Sequence, residues 1–192
     1  MPKPLGLALL LTLALFLPEP SFADAARPAH VDAELRQLLL DTIANSSSFT
    51  DKYEAEVWLV SMSDRLSPFI KDPSERMGVL RQVHRLATAQ GVQPALVLAV
   101  IEVESRFDRY AVSVAGAQGV MQVMPFWKNE IGRPDDNLID LETNLQYGIT
   151  ILKHYLDKEN GRWAEALARY NGSYGSYRYA IKVMDAWENR WK

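Results

Sequence analysis

The 192-residue chain contains no cysteine. That excludes a disulfide framework, thiol catalysis and a cysteine-linked lipid anchor. Its three histidines, His30, His84 and His154, are scattered through unrelated segments, so no metal site is expected. Positive charge is in short supply. With 21 Lys and Arg against 24 Asp and Glu, the formal net charge is −3 and no basic stripe appears, so no nucleic-acid partner is expected. A polymer bound by this chain must be gripped by hydrogen bonds and stacking rather than by bulk charge attraction. No alternating strand pattern of useful length, internal repeat or low-complexity linker is present. No apolar run reaches the roughly 20 residues needed to span a bilayer.

What is present begins with "MPKPLGLALLLTLALFLPEPSFADAA". Lys3 and the amino terminus supply positive charge, residues 5–17 an apolar stretch, and Ser21-Phe22-Ala23 a small-x-small site. This is the layout of a secretory signal peptide, with cleavage expected after Ala23. Its removal takes away Lys3 and Glu19, leaving the net charge at −3. The mature product is expected to be exported to the periplasm, soluble and without stable membrane insertion. At 48% hydrophobic and 23% charged residues, the full chain has the composition of one globular domain with a substantial core.

After a short start containing Pro28, the pattern is helical nearly to the end. "VDAELRQLLLDTIAN" (31–45) places Leu35, Leu38, Leu39 and Ile43 on one face, and "DKYEAEVWLVSMSDRL" (51–66) does the same with Tyr53, Val57 and Val60. "DPSERMGVLRQVHRLATAQG" (72–91) opens with Asp72 as N-cap and Pro73 at the first helical position, and closes at Gly91. A further helix is expected over 93–107. A glycine-bearing segment and an irregular loop follow, then helices over 141–158, 162–170 and 176–191. The fold class is all-α, with a small irregular or β-like patch near residues 116–123.

The helix over 93–107 carries two glutamates, Glu102 and Glu104, in "VIEVESRF". At about 100° per residue they point to nearly opposite sides. Glu104 falls among Leu96, Val97, Val100, Ile101, Val103 and Phe107. Glu102 falls on the far side near Arg106, an i,i+4 partner in the favourable order, and is expected at the surface. A carboxylate on an apolar face must be partnered, neutral or open to a cleft. In a partly apolar pocket its pKa rises, which suits a general acid.

Four short patterns follow in order: "ESRF" (104–107), "SVAGAQG" (113–119), "MQVMP" (121–125) and "YNG" (170–172). Together, after an apolar helix, they resemble the catalytic domain of the soluble lytic murein transglycosylase family, with its goose-lysozyme-like fold. The resemblance covers roughly residues 90–183. It implies that Glu104 is the catalytic acid/base and that Ser113 helps orient the reacting sugar. It also implies that Gln122 and Met124 line the cleft, and that Tyr170 and Asn171 reach the same centre, the tyrosine hydroxyl near the carboxylate. Tyr179 aligns with a tyrosine near the start of the last helix and is a further candidate contact of Glu104. Gly116 and Gly119 would allow close backbone approach to glycan, and Asn144 and Gly148 would serve packing and loop support. Met121 is read as a core gap-filler, and Tyr147, Tyr155 and Trp163 as core or boundary aromatics. Trp127 is read as either a sugar-stacking or a buried ring. Arg169 and the Phe126-Trp127 pair depart from the family's usual residues.

The resemblance further implies cleavage between N-acetylmuramic acid and N-acetylglucosamine in peptidoglycan glycan strands, with closure of a 1,6-anhydro ring and no cofactor. Ordinary glycosidases use two carboxylates, but one convincing acid is offered here; Asp108 has no second motif around it. The alternatives are a lysozyme-like muramidase and a non-catalytic peptidoglycan-binding protein. The expected division is a signal peptide (1–23), an N-terminal helical extension packed on the core (24–87) and the catalytic domain (88–192).

Overall fold

Asp51 accepts hydrogen bonds from the backbone N–H groups of Tyr53 (2.7 Å) and Glu54 (2.9 Å), starting helix α1 (Lys52–Leu66). The computed structural model describes residues 48–49 and 51–192. The expected signal peptide, the short start expected after it and the helix expected over 31–45 lie outside the described residues.

Asp72 caps α2 (Pro73–Ala89) through the N–H of Glu75, with proline at the first position as the sequence predicts. Then come α3 (Pro94–Ser105), a short α4 (Trp127–Ile131), α5 (Leu141–Lys158), capped by Asp140, α6 (Trp163–Tyr170) and α7 (Arg178–Ala186). A π-helical turn, Trp187–Trp191, replaces the last turn of the helix expected over 176–191. The described residues form no strand. Two isolated antiparallel bridges, Val112 with Gln118 and Gln118 with Val123, make up the β-like patch.

α3 is the axis of the fold. Six consecutive residues, Leu96 through Ile101, are buried, so this helix is apolar all round and must be enclosed. α2, α7 and the π-helical turn enclose it, while α5 packs on α2 and α6. Each fully buried Leu, Val or Ile contributes roughly 1.5–3 kcal/mol relative to exposure. Leu59, Met62 and Leu66 of α1 and Met77, Leu80 and Val83 of α2 join the same core. α2 runs unbroken through residue 87, where the division between extension and catalytic domain was expected.

Enclosure corrects the reading of Glu102. Its side is covered by the C-terminal turn, and the side chain is only 17% exposed. The indole N–H of Trp191 donates to Glu102 Oε2 at 2.7 Å, and Arg190 forms an ion pair with the same oxygen at 3.1 Å. Arg106 is not its partner, because α3 stops at Ser105 and Arg106 and Phe107 adopt left-handed backbone (φ 54° and 67°). Two non-glycine residues there cost of order 1–3 kcal/mol each. The turn drives Phe107 into an aromatic cluster with Phe69 and the fully buried Trp191, which offsets that cost.

The segment after α3 is pinned to α5 by one buried amide. Asn144 Oδ1 accepts from the N–H of Met121, and its Nδ2 donates to the carbonyls of Gln118 and Leu138, all at 2.8 Å. Gly119 (φ +73°) lies against this amide: a Cβ there would collide with Asn144 Nδ2 and the Leu138 carbonyl. Gly119 therefore serves contact with α5, and the expected approach to glycan is not its use. At Gly148 a Cβ would meet Met121 Sδ at 2.5 Å and Cβ at 2.7 Å, so Met121 is buried flat against α5. Asn144→Ala leaves the buried Met121 N–H and Leu138 carbonyl unpaired, while the Gln118 carbonyl still accepts from the Val123 N–H. At about 1–3 kcal/mol for each unpaired group, the variant should lose at least about 2 kcal/mol in urea unfolding. Gln146→Ala, at an exposed position on the same helix, should cost under about 0.5 kcal/mol in the same measurement.

Candidate active site

The last turn of α3 delivers Glu104 to a cleft of about 280 Å³, walled by the pinned segment, by α5 and by the end of α6. Ser113, Gln122, Met124, Tyr170 and Asn171 line it together with Glu104. Ala115, Ala117, Val123, Trp127 and Ile151 complete the wall. Ile151 projects from α5 three residues after Gly148, a position that helical spacing makes visible once Gly148 is assigned to the contact. Ala115 and Ala117 carry no sequence signal.

Glu104 is the one carboxylate among the described residues lining this cleft. Burial pushes its carboxyl up from about 4.5 to about 7; a hydrogen bond donated by Tyr179 pulls the other way. That bond, from the Tyr179 hydroxyl to Glu104 Oε1, is 2.6 Å long. Tyr179 is buried in the first turn of α7, which packs on α3. Tyr170 is arranged differently. Its hydroxyl donates to the Met121 carbonyl at 2.7 Å, so it braces the pinned segment, while burial and the nearby Glu104 charge hold its pKa well above the ordinary tyrosine value.

Gln122 occupies the left-handed region (φ 49°), and its Nε2 donates to the carbonyls of Ala111 (3.2 Å) and Gly119 (2.9 Å). Both amide protons are thereby used inside the protein, and Oε1 is left to accept from a ligand. Ser113 Oγ accepts from the N–H of Ala117 at 3.0 Å and closes the turn around Gly116, whose φ of +88° favours glycine. Arg169 turns away from the cleft: it pairs with the buried Glu159 and stacks on Tyr174, 3.7 Å from the ring centre. Asp108 accepts from the N–H of Tyr110 in an exposed turn. Among the described residues, no group of three or more His, Asp or Glu side chains is placed to hold a metal. His84 instead packs between Phe49 and Trp58, and burial lowers its pKa to about 4.

A family model described as the transglycosylase SLT domain matches residues 82–190. The chain belongs to this family. The SLT domain thus begins inside α2, ends in the π-helical turn and contains every wall of the cleft. Similar curated proteins include membrane-bound lytic murein transglycosylase C of Actinobacillus pleuropneumoniae, 51% identical over 43 residues, covering 22% of this chain and 12% of that protein. The protein of the same name from Haemophilus ducreyi is 31% identical over 121 residues, 54% of this chain and 32% of its own. The chain therefore spans less than a third of the length of either relative. Among solved structures, an inactive mutant of lytic transglycosylase Slt from Pseudomonas aeruginosa matches with TM-score 0.46 and 23% identity, over 80% of this chain and 32% of that one. No helix among the described residues is long and apolar enough to cross a membrane.

The contact between Tyr179 and Glu104 makes a signed prediction. Because the tyrosine hydroxyl lowers the Glu104 pKa, Tyr179→Phe should raise it further. The midpoint of the Glu104 titration, about 7 in the parent, should move to higher pH. Carboxyl titration of the two proteins by nuclear magnetic resonance checks this; a midpoint moved to lower pH would contradict it.

Proposed function

We propose that this protein is a peptidoglycan lytic transglycosylase. The observation that carries the reading is the solitary Glu104, in a cleft, with its carboxyl near 7. At that value one group serves as acid and then as base near neutral pH. Glu104 gives its proton to the glycosidic oxygen joining N-acetylmuramic acid to N-acetylglucosamine, and the bond from that oxygen to the muramyl C1 breaks. The muramyl N-acetyl group stabilises the cation that develops at C1. The muramyl 6-hydroxyl then attacks C1 and returns its proton to the Glu104 carboxylate, closing a 1,6-anhydro ring. The substrate supplies the nucleophile, so the second carboxylate of an ordinary glycosidase is not needed.

The other residues take positions around this event. Tyr179 orients the acid, and the free Oε1 of Gln122 accepts from a sugar hydroxyl or acetamido N–H. Tyr170 holds the Met121 carbonyl and with it the wall that carries Gln122 and Met124. Ser113 and Asn171 offer further polar groups to the cleft. The sequence of residues 1–23 supports export and action in the periplasm, and α1 with the first half of α2 acts as a buttress for the catalytic domain. Digestion of purified sacculi tests the activity. Released muropeptides should be one water lighter than hydrolytic products and should resist borohydride, since an anhydro end has no reducing terminus. Predominantly reducing ends would make the protein a muramidase, and intact sacculi would make it a binding protein.

A further inference from the structure

Phe126 is 54% exposed beside the cleft, although exposing a phenylalanine ring to water is unfavourable. It does not stand alone. Its ring lies 5.0 Å from that of Trp127, with the planes inclined by 31°, and Trp127 itself lines the cleft that holds Glu104. The backbone that carries the pair is tied down. Trp127 N–H donates to the Met124 carbonyl, Lys128 N–H to that of Pro125 and Asn129 N–H to that of Phe126, each at 3.1 Å, and Lys128 Nζ donates to the Pro134 carbonyl at 2.6 Å. An aromatic surface thus continues outward from the Gln122 and Met124 wall.

The cleft, at about 280 Å³, is at the small end of the roughly 300–1,000 Å³ typical of sites that enclose one drug-sized ligand, and a strand of several sugars is larger than such a ligand. A strand of several sugars must therefore run out of it over whatever surface adjoins. A pyranose ring in such a strand presents a face of C–H bonds, apolar and slightly positive, which complements the negative face of an aromatic ring. A ring presented from a tied-down backbone and already against Trp127 makes that contact at a reduced ordering cost.

We propose that Phe126, backed by Trp127, is a stacking platform for a sugar of the glycan strand beyond the reacting pair, so that this protein favours longer strands. The inference rests on the glycan-cleaving reading of the cleft, and binding without turnover tests it separately from the reaction. In a Glu104→Gln background, affinities for a peptide-free murein disaccharide and octasaccharide are measured by calorimetry. The octasaccharide should bind roughly tenfold more tightly. Phe126→Ala should bring that ratio close to one by weakening the octasaccharide alone, and Phe126→Tyr should keep it. The exposed position lets both variants fold, which circular dichroism verifies. An unchanged ratio in Phe126→Ala, an equal loss for both ligands, or no binding of either ligand would overturn the platform. The products of the wild-type digest report on the reaction independently of all three results.

Discussion

Glu104→Gln is expected to abolish glycan cleavage while making the folded protein more stable above neutral pH. The loss should be about a thousandfold or more, because the amide can neither donate the proton to the glycosidic oxygen nor take one from the 6-hydroxyl. The stability change has a definite sign. The unfolded carboxyl ionises near 4.5 and the folded one near 7, so the unfolded state binds fewer protons between those values and stability falls as pH rises through the window. Above about 7 the folded protein carries a penalty of about 3 kcal/mol that glutamine does not have. Below 4.5 both side chains are neutral and the two proteins should unfold at similar urea concentrations. Urea titrations at acid and alkaline pH measure the difference. An active Glu104→Gln enzyme, or a variant less stable than its parent at alkaline pH, would contradict the role given to this side chain.

Glu102 provides the contrast. Its carboxylate anchors Trp191 and Arg190 on the opposite side of α3 from the cleft. Glu102→Gln should keep most of the activity and lose about 1–3 kcal/mol of stability, since one charged anchor of the C-terminal turn is weakened.

The opposite placement of these two glutamates was legible in the sequence because it depends only on helix periodicity. So was the capped start at Asp72, which needs only an acceptor side chain before an apolar pattern. The partners of Glu102 were not legible. α3 was expected to continue to Phe107, and Arg106 was paired with Glu102 on that basis. The chain leaves the helix one residue after Ser105 without a glycine to mark it, because tertiary burial of Phe107 outweighs the local cost of left-handed backbone. α4 escaped notice for a related reason: five residues are too few for a helical period to show. The resemblance of the short motifs to the transglycosylase family brought Ser113, Gln122, Tyr170 and Asn171 forward as site candidates, and the fold gathers them in one cleft with Glu104. The division of labour between the tyrosines depends on where α6 and α7 dock. Tyr179, a candidate contact from the resemblance, bonds Glu104, whereas Tyr170 bonds the Met121 carbonyl, a partner that no one-dimensional pattern encodes.

The second large effect concerns the fate of oxygen. In the proposed mechanism, with one acid and no partner carboxylate among the described residues of the cleft, attack at the muramyl C1 comes from the substrate's own 6-hydroxyl. Every atom of the product ends then derives from the glycan, and the proton taken by the leaving sugar is regenerated on Glu104 from that hydroxyl. A hydrolase differs at one atom: its new anomeric oxygen comes from solvent. Tyr170→Phe should slow the reaction without altering this outcome, because bracing the cleft wall affects rate and not the choice of nucleophile.

Digestion of sacculi in water enriched in heavy oxygen tests the claim most directly. The products are separated at once and their masses compared with those from ordinary water. Muropeptides that carry no heavy oxygen and are one water lighter than hydrolytic ends are the result expected of intramolecular attack. Reducing ends that have gained one heavy oxygen at C1 would contradict it.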